Sequence, residues 1–298
     1  MTERPKGDAR KPAEPAEPGG QVRFWCGESL RRALSDLDLD SVEGAFACRD
    51  GIDMTVPRLG HRTRMRLGVR CDDGRERTLF LKRYRREPFW WRVRRRLTYG
   101  RRRSPAGVEM DNIRAAVAAG LPTIIEAICG EQFDRWGASR SFIVVVAVPG
   151  EALEQSAEGF IARHVDDPDM LELFTARLAE LVRRLHGAGY VHRDLYSSHV
   201  FLDETEDGFA LHLIDLARMF APRRRQFRWR VKDLAALKYS MPASWVGPCW
   251  QTFLRAYTPE ADERVIGRWA KAVDDKVAYM SWRIGRRKRR LSRRGEAR

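Results

Sequence analysis

The chain has 298 residues, of which 43% are apolar, enough for two lobes with cores of their own. The formal net charge of +15 is concentrated in two places: residues 83–103 hold ten arginines against one glutamate, residues 283–298 hold nine basic residues against one glutamate, and the remainder sums to −2. No run of residues is apolar enough for a membrane span or a signal peptide, so a cytosolic chain is expected, and five scattered cysteines without a Cys-x-x-Cys pair suggest neither zinc nor a disulfide framework.

Residues 1–21 are rich in Pro, Glu and Gly, with little to bury, and are expected to be disordered. Residues 24–39 read as a short helix or lead-in packed on the first lobe. Residues 55–84 read as three strands, because Val56, Leu59, Met65, Leu67 and Val69 are spaced for a sheet and Asp72-Asp73-Gly74 is a turn signal. Thr78-Leu79-Phe80-Leu81-Lys82 is a strand carrying one lysine. The basic stretch 83–103 follows, with Pro88-Phe89-Trp90-Trp91 inside it. Aromatics among arginines suit a membrane interface or nucleic-acid stacking; a solvated insertion with its rings packed on the lobe is the plainer reading. Ser104-Pro105 opens a helix with Met110, Ile113 and Val117 on its apolar stripe and Glu109 beside them, and Gly120 and Pro122 close it. Two strands, residues 124–129 and 141–147, complete the first lobe, and residues 146–150 form the link to the second.

Asp166-Asp167-Pro168-Asp169 caps a strongly periodic helix with Leu171, Phe174, Leu178, Leu181 and Leu185 on one face, and Gly187 and Gly189 stop it. His192-Arg193-Asp194 follows, then a strand to Asp203, a polar turn, and a strand from Leu211 to Ile214 that ends on Asp215. This order matches the catalytic centre of the protein-kinase fold. Phosphoryl transfer needs one carboxylate to orient and deprotonate a hydroxyl and a second to hold a metal ion against the phosphates. A short hairpin carries both to one cleft. An arginine-rich segment from Arg218 to Arg230 comes next, then a helix expected to open at Asp233, whose carboxylate would hold the catalytic-loop backbone. Two amphipathic helices follow, through Trp250 to Tyr257 and Val265 to Met280, the second running into the basic tail.

His-Arg-Asp-Leu-Tyr-x-x-His, Leu-Ile-Asp-Leu-x-Arg and Arg-Trp-Arg-Val-Lys-Asp-Leu-Ala together resemble the lipopolysaccharide kinase (Kdo/WaaP) family over roughly Thr55 to Ser240. The resemblance implies an α+β, bilobal, protein-kinase-like fold: a small antiparallel-sheet N-lobe (22–148), a mainly helical C-lobe (149–283) and a basic tail (284–298). It implies ATP and Mg²⁺ as cofactors and a heptose or Kdo of the lipopolysaccharide inner core as acceptor, at the inner face of the inner membrane. The acceptor glycolipid and an anionic membrane surface are the expected partners. No nucleic-acid motif accompanies the charge, so nucleic acid is not expected.

In that frame Asp194 is the catalytic base and Asp215 the metal ligand. Lys82 reaches the nucleotide phosphates with Glu109 as its partner, Glu126 being the alternative. Gly60 and Arg62, joined by Arg64, cover the phosphates, and Val146 and Val148 belong to the adenine hinge. His199 stands at the second metal position, as a ligand or as a hydrogen-bonding residue of the loop. Arg228 and Arg230 face the acceptor. Four departures matter: Tyr196 stands where protein kinases have Lys, His199 where they have Asn, Asp215-Leu216-Ala217 replaces Asp-Phe-Gly, and Ala-Pro-Glu is absent. A protein kinase, or a pseudokinase acting as a basic membrane-tethered module, remain the competing expectations.

Overall fold

The computed structural model describes residues 21–55, 61–99, 104–134 and 137–295. The N-terminal region runs β1 (Gln21–Trp25), α1 (Glu28–Ser35), α2 (Val42–Ala47), β2 (Ile52–Asp53), β3 (Arg62–Arg70), β4 (Glu76–Arg85), α3 (Phe89–Tyr99), α4 (Pro105–Ala118), β5 (Ala127–Asp134) and β6 (Gly137–Val146). The C-terminal region runs β7 (Glu151–Ala152), α5 (Leu153–Arg163), α6 (Pro168–Gly187), β8 (Val200–Thr205), β9 (Gly208–Leu213), α7 (Gln226–Ser240), α8 (Ala243–Tyr257) and α9 (Glu263–Gly295).

Strict alternation builds the first sheet. In β3, Met65, Leu67 and Val69 are buried while Arg66, Gly68 and Arg70 face out. The Asp72-Asp73-Gly74 turn, with Gly74 at φ 77°, returns the chain into β4. The sheet order is β1-β5-β6-β4-β3-β2, antiparallel throughout. Leu79 and Leu81 of β4 enter one core with Leu30 and Leu34 of α1, whereas Tyr84 of the same strand joins Met110 and Ile113 of α4 in the other. Lys82, in phase with Tyr84, is thereby turned toward α4. β1 occupies residues read as disordered or helical lead-in: it starts at Gln21 and adds itself to the edge of β5. The strand expected around Val56 and Leu59 lies outside the described residues, as do Gly60 and residues 1–20.

Asp167 caps α6, accepting from the Met170 amide at 3.0 Å; of the expected stripe Phe174, Leu178, Leu181 and Leu185 are buried and Leu171, in the first turn, is partly buried. α8 lies along α6, and the small sheet β7-β8-β9 carries the catalytic loop. One boundary differs from expectation. α7 begins at Gln226 rather than at Asp233, because Phe227, Val231 and Leu234 form an apolar stripe at helical spacing that packs into the core. Arg228 and Arg230 are therefore helical residues, not part of an acceptor-binding loop.

Candidate active site

Lys82 on β4 and Glu109 on α4 meet in the interior, Nζ to Oε1 at 2.5 Å, with both side chains buried. Tyr84 donates its hydroxyl to the other Glu109 oxygen at 3.1 Å. Glu126 is committed elsewhere: it pairs with Arg77 and accepts the Gly27 amide. Glu109 is the partner of Lys82.

Lys82 Nζ also lies 3.7 Å from Asp215 Oδ1, and Arg64 lies 3.9 Å from Asp215 Oδ2. Burial opposes ionisation of Asp215, but Lys82, then Arg62, His199 and Arg64, outweigh it and hold the carboxyl well below the usual carboxylate range. Arg62 stands over the Tyr84 ring at 5.4 Å and keeps one buried terminal nitrogen without a partner. Asp215 itself is left-handed, φ 56° and ψ 55°, a backbone state rarely held by a residue other than glycine without surrounding support.

The support comes from α4. Asn112 lies on the same helix face as Glu109 and donates to the carbonyls of Leu216 and Met219, both at 2.8 Å. The helix that fixes Lys82 thus also fixes the turn that carries Asp215.

The catalytic loop hangs from Asp233, which is fully buried. Its carboxylate accepts the backbone N–H groups of His192 at 2.6 Å and Arg193 at 2.8 Å, with Arg193 held at φ 75°. This is the structural role expected of that residue. Behind Asp233, His186 approaches at 3.4 Å and shares a 2.8 Å bond with the Tyr257 hydroxyl. Arg230 donates to the His186 carbonyl at 2.8 Å, so it is spent on the scaffold and does not reach the cleft. Lys232, which the sequence offered only as a letter in a motif, donates to the Arg193 carbonyl at 2.7 Å.

Asp194 receives both oxygens' worth of contact from one guanidinium: Arg218 Nη1 lies 2.8 and 2.6 Å from its two carboxylate oxygens. His199 links the two aspartates. A carbonyl can only accept, so the 2.7 Å contact between Nδ1 and the Asp194 carbonyl places the proton on Nδ1. Nε2 faces Asp215 Oδ2 from 3.7 Å. Of the two roles expected of His199, the bond to the loop is made by Nδ1, while Nε2 lies toward Asp215.

At the hinge, the Val146 amide is used by the Glu126 carbonyl and the Ala147 amide by Thr78, so the Val146 N–H is not left for adenine. The Val148 amide makes no bond to any described residue.

Among the described residues no group of three or more His, Cys, Asp or Glu side chains gathers around one point. Mg²⁺ in phosphoryl-transfer sites takes one or two carboxylates and fills its octahedron with phosphate and water oxygens. Asp215, with His199 beside it, fits an ion shared with a nucleotide and does not fit an ion held by protein alone.

A buried lysine–glutamate pair, a His-Arg-Asp loop suspended from a buried aspartate, and a second aspartate at the end of the following hairpin are the framework of the protein-kinase-like fold. The chain belongs to the lipopolysaccharide kinase (Kdo/WaaP) family, whose model matches residues 60–257. It is 33% identical over 137 residues to the lipopolysaccharide core heptose(I) kinase WaaP of Pseudomonas aeruginosa, an alignment covering 44% of this chain and 51% of that protein. It is 38% identical over 82 residues to the WaaP protein of Escherichia coli K12, covering 26% of this chain and 31% of that one. The matched segments thus span about half, or less, of these curated relatives. A solved structure of WaaP in complex with acyl carrier protein superposes with a TM-score of 0.62 at 27% identity, covering 86% of this chain and 99% of that one.

Proposed function

We propose that the chain is an ATP- and Mg²⁺-dependent kinase that phosphorylates a heptose or Kdo hydroxyl of the lipopolysaccharide inner core. The observation that supports the reading is the meeting of Lys82 with both Glu109 and Asp215, Nζ lying 2.5 Å from Glu109 Oε1 and 3.7 Å from Asp215 Oδ1. Asp194 orients the acceptor hydroxyl and takes its proton. Lys82, held by Glu109, engages the nucleotide phosphates, with Arg62 and Arg64 adding charge above Asp215. Val148 offers its amide to adenine. When bound, Mg²⁺ neutralises phosphate charge, and Asp215 would hold it with His199 alongside. Two features favour a sugar acceptor over a peptide: Ala-Pro-Glu is absent, and only residues 221–225 separate the Val191–Phe220 bridge from the start of α7. That is too little chain for a peptide-binding platform.

The reaction belongs at an anionic membrane surface. No helix among the described residues is long and apolar enough to cross a membrane. α3 instead carries Phe89, Trp90 and Leu97 on one exposed side, at 60%, 76% and 83% exposure, with Arg94 and Arg96 flanking them. Its last residue, Tyr99, hydrogen-bonds Arg193, so the helix ends at the catalytic loop. Binding to anionic vesicles should weaken with salt, and Trp90→Ala should weaken it further; equal sedimentation with neutral vesicles would remove the membrane claim.

The function is tested with purified protein, labelled ATP, dephosphorylated core glycolipid and a generic protein substrate. Label should appear in the glycolipid alone. Transfer to protein but not glycolipid would establish the protein-kinase reading instead. Nucleotide binding without transfer to either would establish the pseudokinase reading.

A further inference from the structure

Beside the catalytic loop, between the first turns of α7 and the middle of α9, lies a cleft of about 450 Å³. Its wall includes Arg225, Arg228, Trp229, Lys232, Lys276 and Tyr279. The one carboxylate on its wall, Asp275, pairs with Lys271 at 2.9 Å. Among the described residues, Arg225, Arg228 and Lys276 have no carboxylate partner. Four cations are thus gathered around an open volume with little to neutralise them.

Two further observations point the same way. α7 is a fifteen-residue helix whose N-cap is Arg225, left-handed at φ 58° and making no side-chain cap bond. Its first-turn amides therefore add the partial positive charge of an uncapped helix start. Burial, and then the neighbouring Arg228 and Arg283, push the Lys276 ammonium below its ordinary value, as expected where cations crowd without an anion.

The cleft belongs to the reaction by position. Lys232 lines it and donates to the Arg193 carbonyl, one residue before Asp194. Arg283, further along α9, acts electrostatically on Tyr196, two residues beyond Asp194. Trp229 and Tyr279 supply aromatic surface of the kind that covers the C–H faces of sugar rings, and the volume suits about one or two such rings. A lipid tail would not choose a wall of four cations.

We propose that this cleft is a subsite for an anionic sugar, a ring bearing a carboxylate that adjoins the accepting sugar; the assignment to acceptor binding rests on the kinase reading above. Arg225 and Arg228 present planar forks to the oxyanion, Lys232 and Lys276 add point charges, and the aromatic rings hold the sugar body.

The test has a kinetic and a binding arm. Arg228→Ala with Lys276→Ala should raise KM for the core glycolipid about tenfold or more, with kcat and the KM for ATP within about twofold of wild type. Arg228→Lys should fall between, keeping charge and losing the fork. In the binding arm, saturation-transfer NMR is run with the nucleotide site filled by a non-hydrolysable ATP analogue. The probes are free Kdo, its neutral methyl ester and inorganic phosphate. Kdo should give signal with wild type, the ester should give little, and the double variant should lose the Kdo signal. An unchanged glycolipid KM, equal signals from Kdo and its ester, or binding of phosphate with no response to Kdo would each overturn the proposal. If no glycolipid is phosphorylated at all, the kinase reading fails while the Kdo signal still decides the cleft.

Discussion

Two regions of the molecule handle positive charge in opposite ways. On the nucleotide side Lys82 is 4% exposed, paired with Glu109 and close to Asp215. Between α7 and α9, Arg225, Arg228 and Lys276 line an open cleft whose one wall carboxylate, Asp275, is paired with Lys271. A buried ion pair carries a desolvation cost that is tolerated only when its geometry is complete. The nucleotide side therefore comes preassembled, its donors already aimed. Unpaired, partly solvated cations cost little to keep, and they leave their strongest interactions to be made with a ligand. One region carries its counter-ions within the fold and the other leaves its charges open to solvent.

The largest expected effect lies in the catalytic loop. Asp194→Asn should lower kcat by about 10²–10⁴-fold, the usual contribution of a general base, while nucleotide affinity stays at the wild-type value. Single-turnover kinetics and nucleotide titration check this, and wild-type turnover by the variant would end the assignment.

The contrast itself is broken or kept by a pair of stability measurements. Glu109→Gln strands Lys82 in the interior and should cost about 3 kcal/mol or more of unfolding free energy in urea, with a raised KM for ATP. Arg228→Ala should cost within about 0.5 kcal/mol, because nothing in the folded chain depends on it. Equal losses would show that the cleft between α7 and α9 is scaffold as well.

Arg218 is the intermediate case, a half-exposed cation already paired with Asp194. It supplies a positive charge beside Asp194 where Tyr196 supplies none. Arg218→Ala should lower kcat about tenfold with the KM for ATP unchanged, and Arg218→Lys should recover part of the loss. A rise in kcat would mean instead that the guanidinium shields the base.

The smallest effect is on stability against pH. Burial holds the imidazoles of His186 and His192 below the ordinary histidine value, against the pull of Asp233 on each. The folded chain then binds fewer protons than the unfolded chain once the pH falls below about 6.5. Their contribution is whole above that pH and is lost as the pH drops. Unfolding free energy should fall by on the order of 1 kcal/mol between about pH 7.5 and 5.5. A flat profile over that window would show that both rings take up protons inside the fold.

Much of this arrangement is legible in the sequence because periodicity and spacing carry it. The α6 stripe, the His-Arg-Asp loop, the terminal Asp215 and the Lys82–Glu109 contact follow from residues that sit where helix and strand geometry would put them. Other features are hidden by charge. In Arg223-Arg224-Arg225-Gln226-Phe227-Arg228-Trp229-Arg230 the arginines mask the Phe227–Val231–Leu234 stripe, so α7 reads as a loop and Arg230 as a ligand contact rather than a bond to the His186 carbonyl. β1 is an edge strand with polar residues on it and has no pattern stronger than that of a lead-in. Asn112 could have been found, since it lies one helical turn after Glu109, but its partners are main-chain carbonyls about a hundred residues away, which no local pattern announces.

The two bonds from Asn112 have a consequence for control. They clamp the turn after Asp215, the Val191–Phe220 bridge clamps its far end, and α7 starts after only five more residues. A kinase that switches off by swinging this turn needs slack on one side of it, and both sides here are tied. The same clamp joins the helix that positions Lys82 to the turn that carries Asp215, so neither can be disengaged alone. Nucleotide affinity should therefore be equal with and without glycolipid present; a tenfold gain on adding glycolipid, about 1.4 kcal/mol of coupling, would reveal a switch that these contacts do not hold shut.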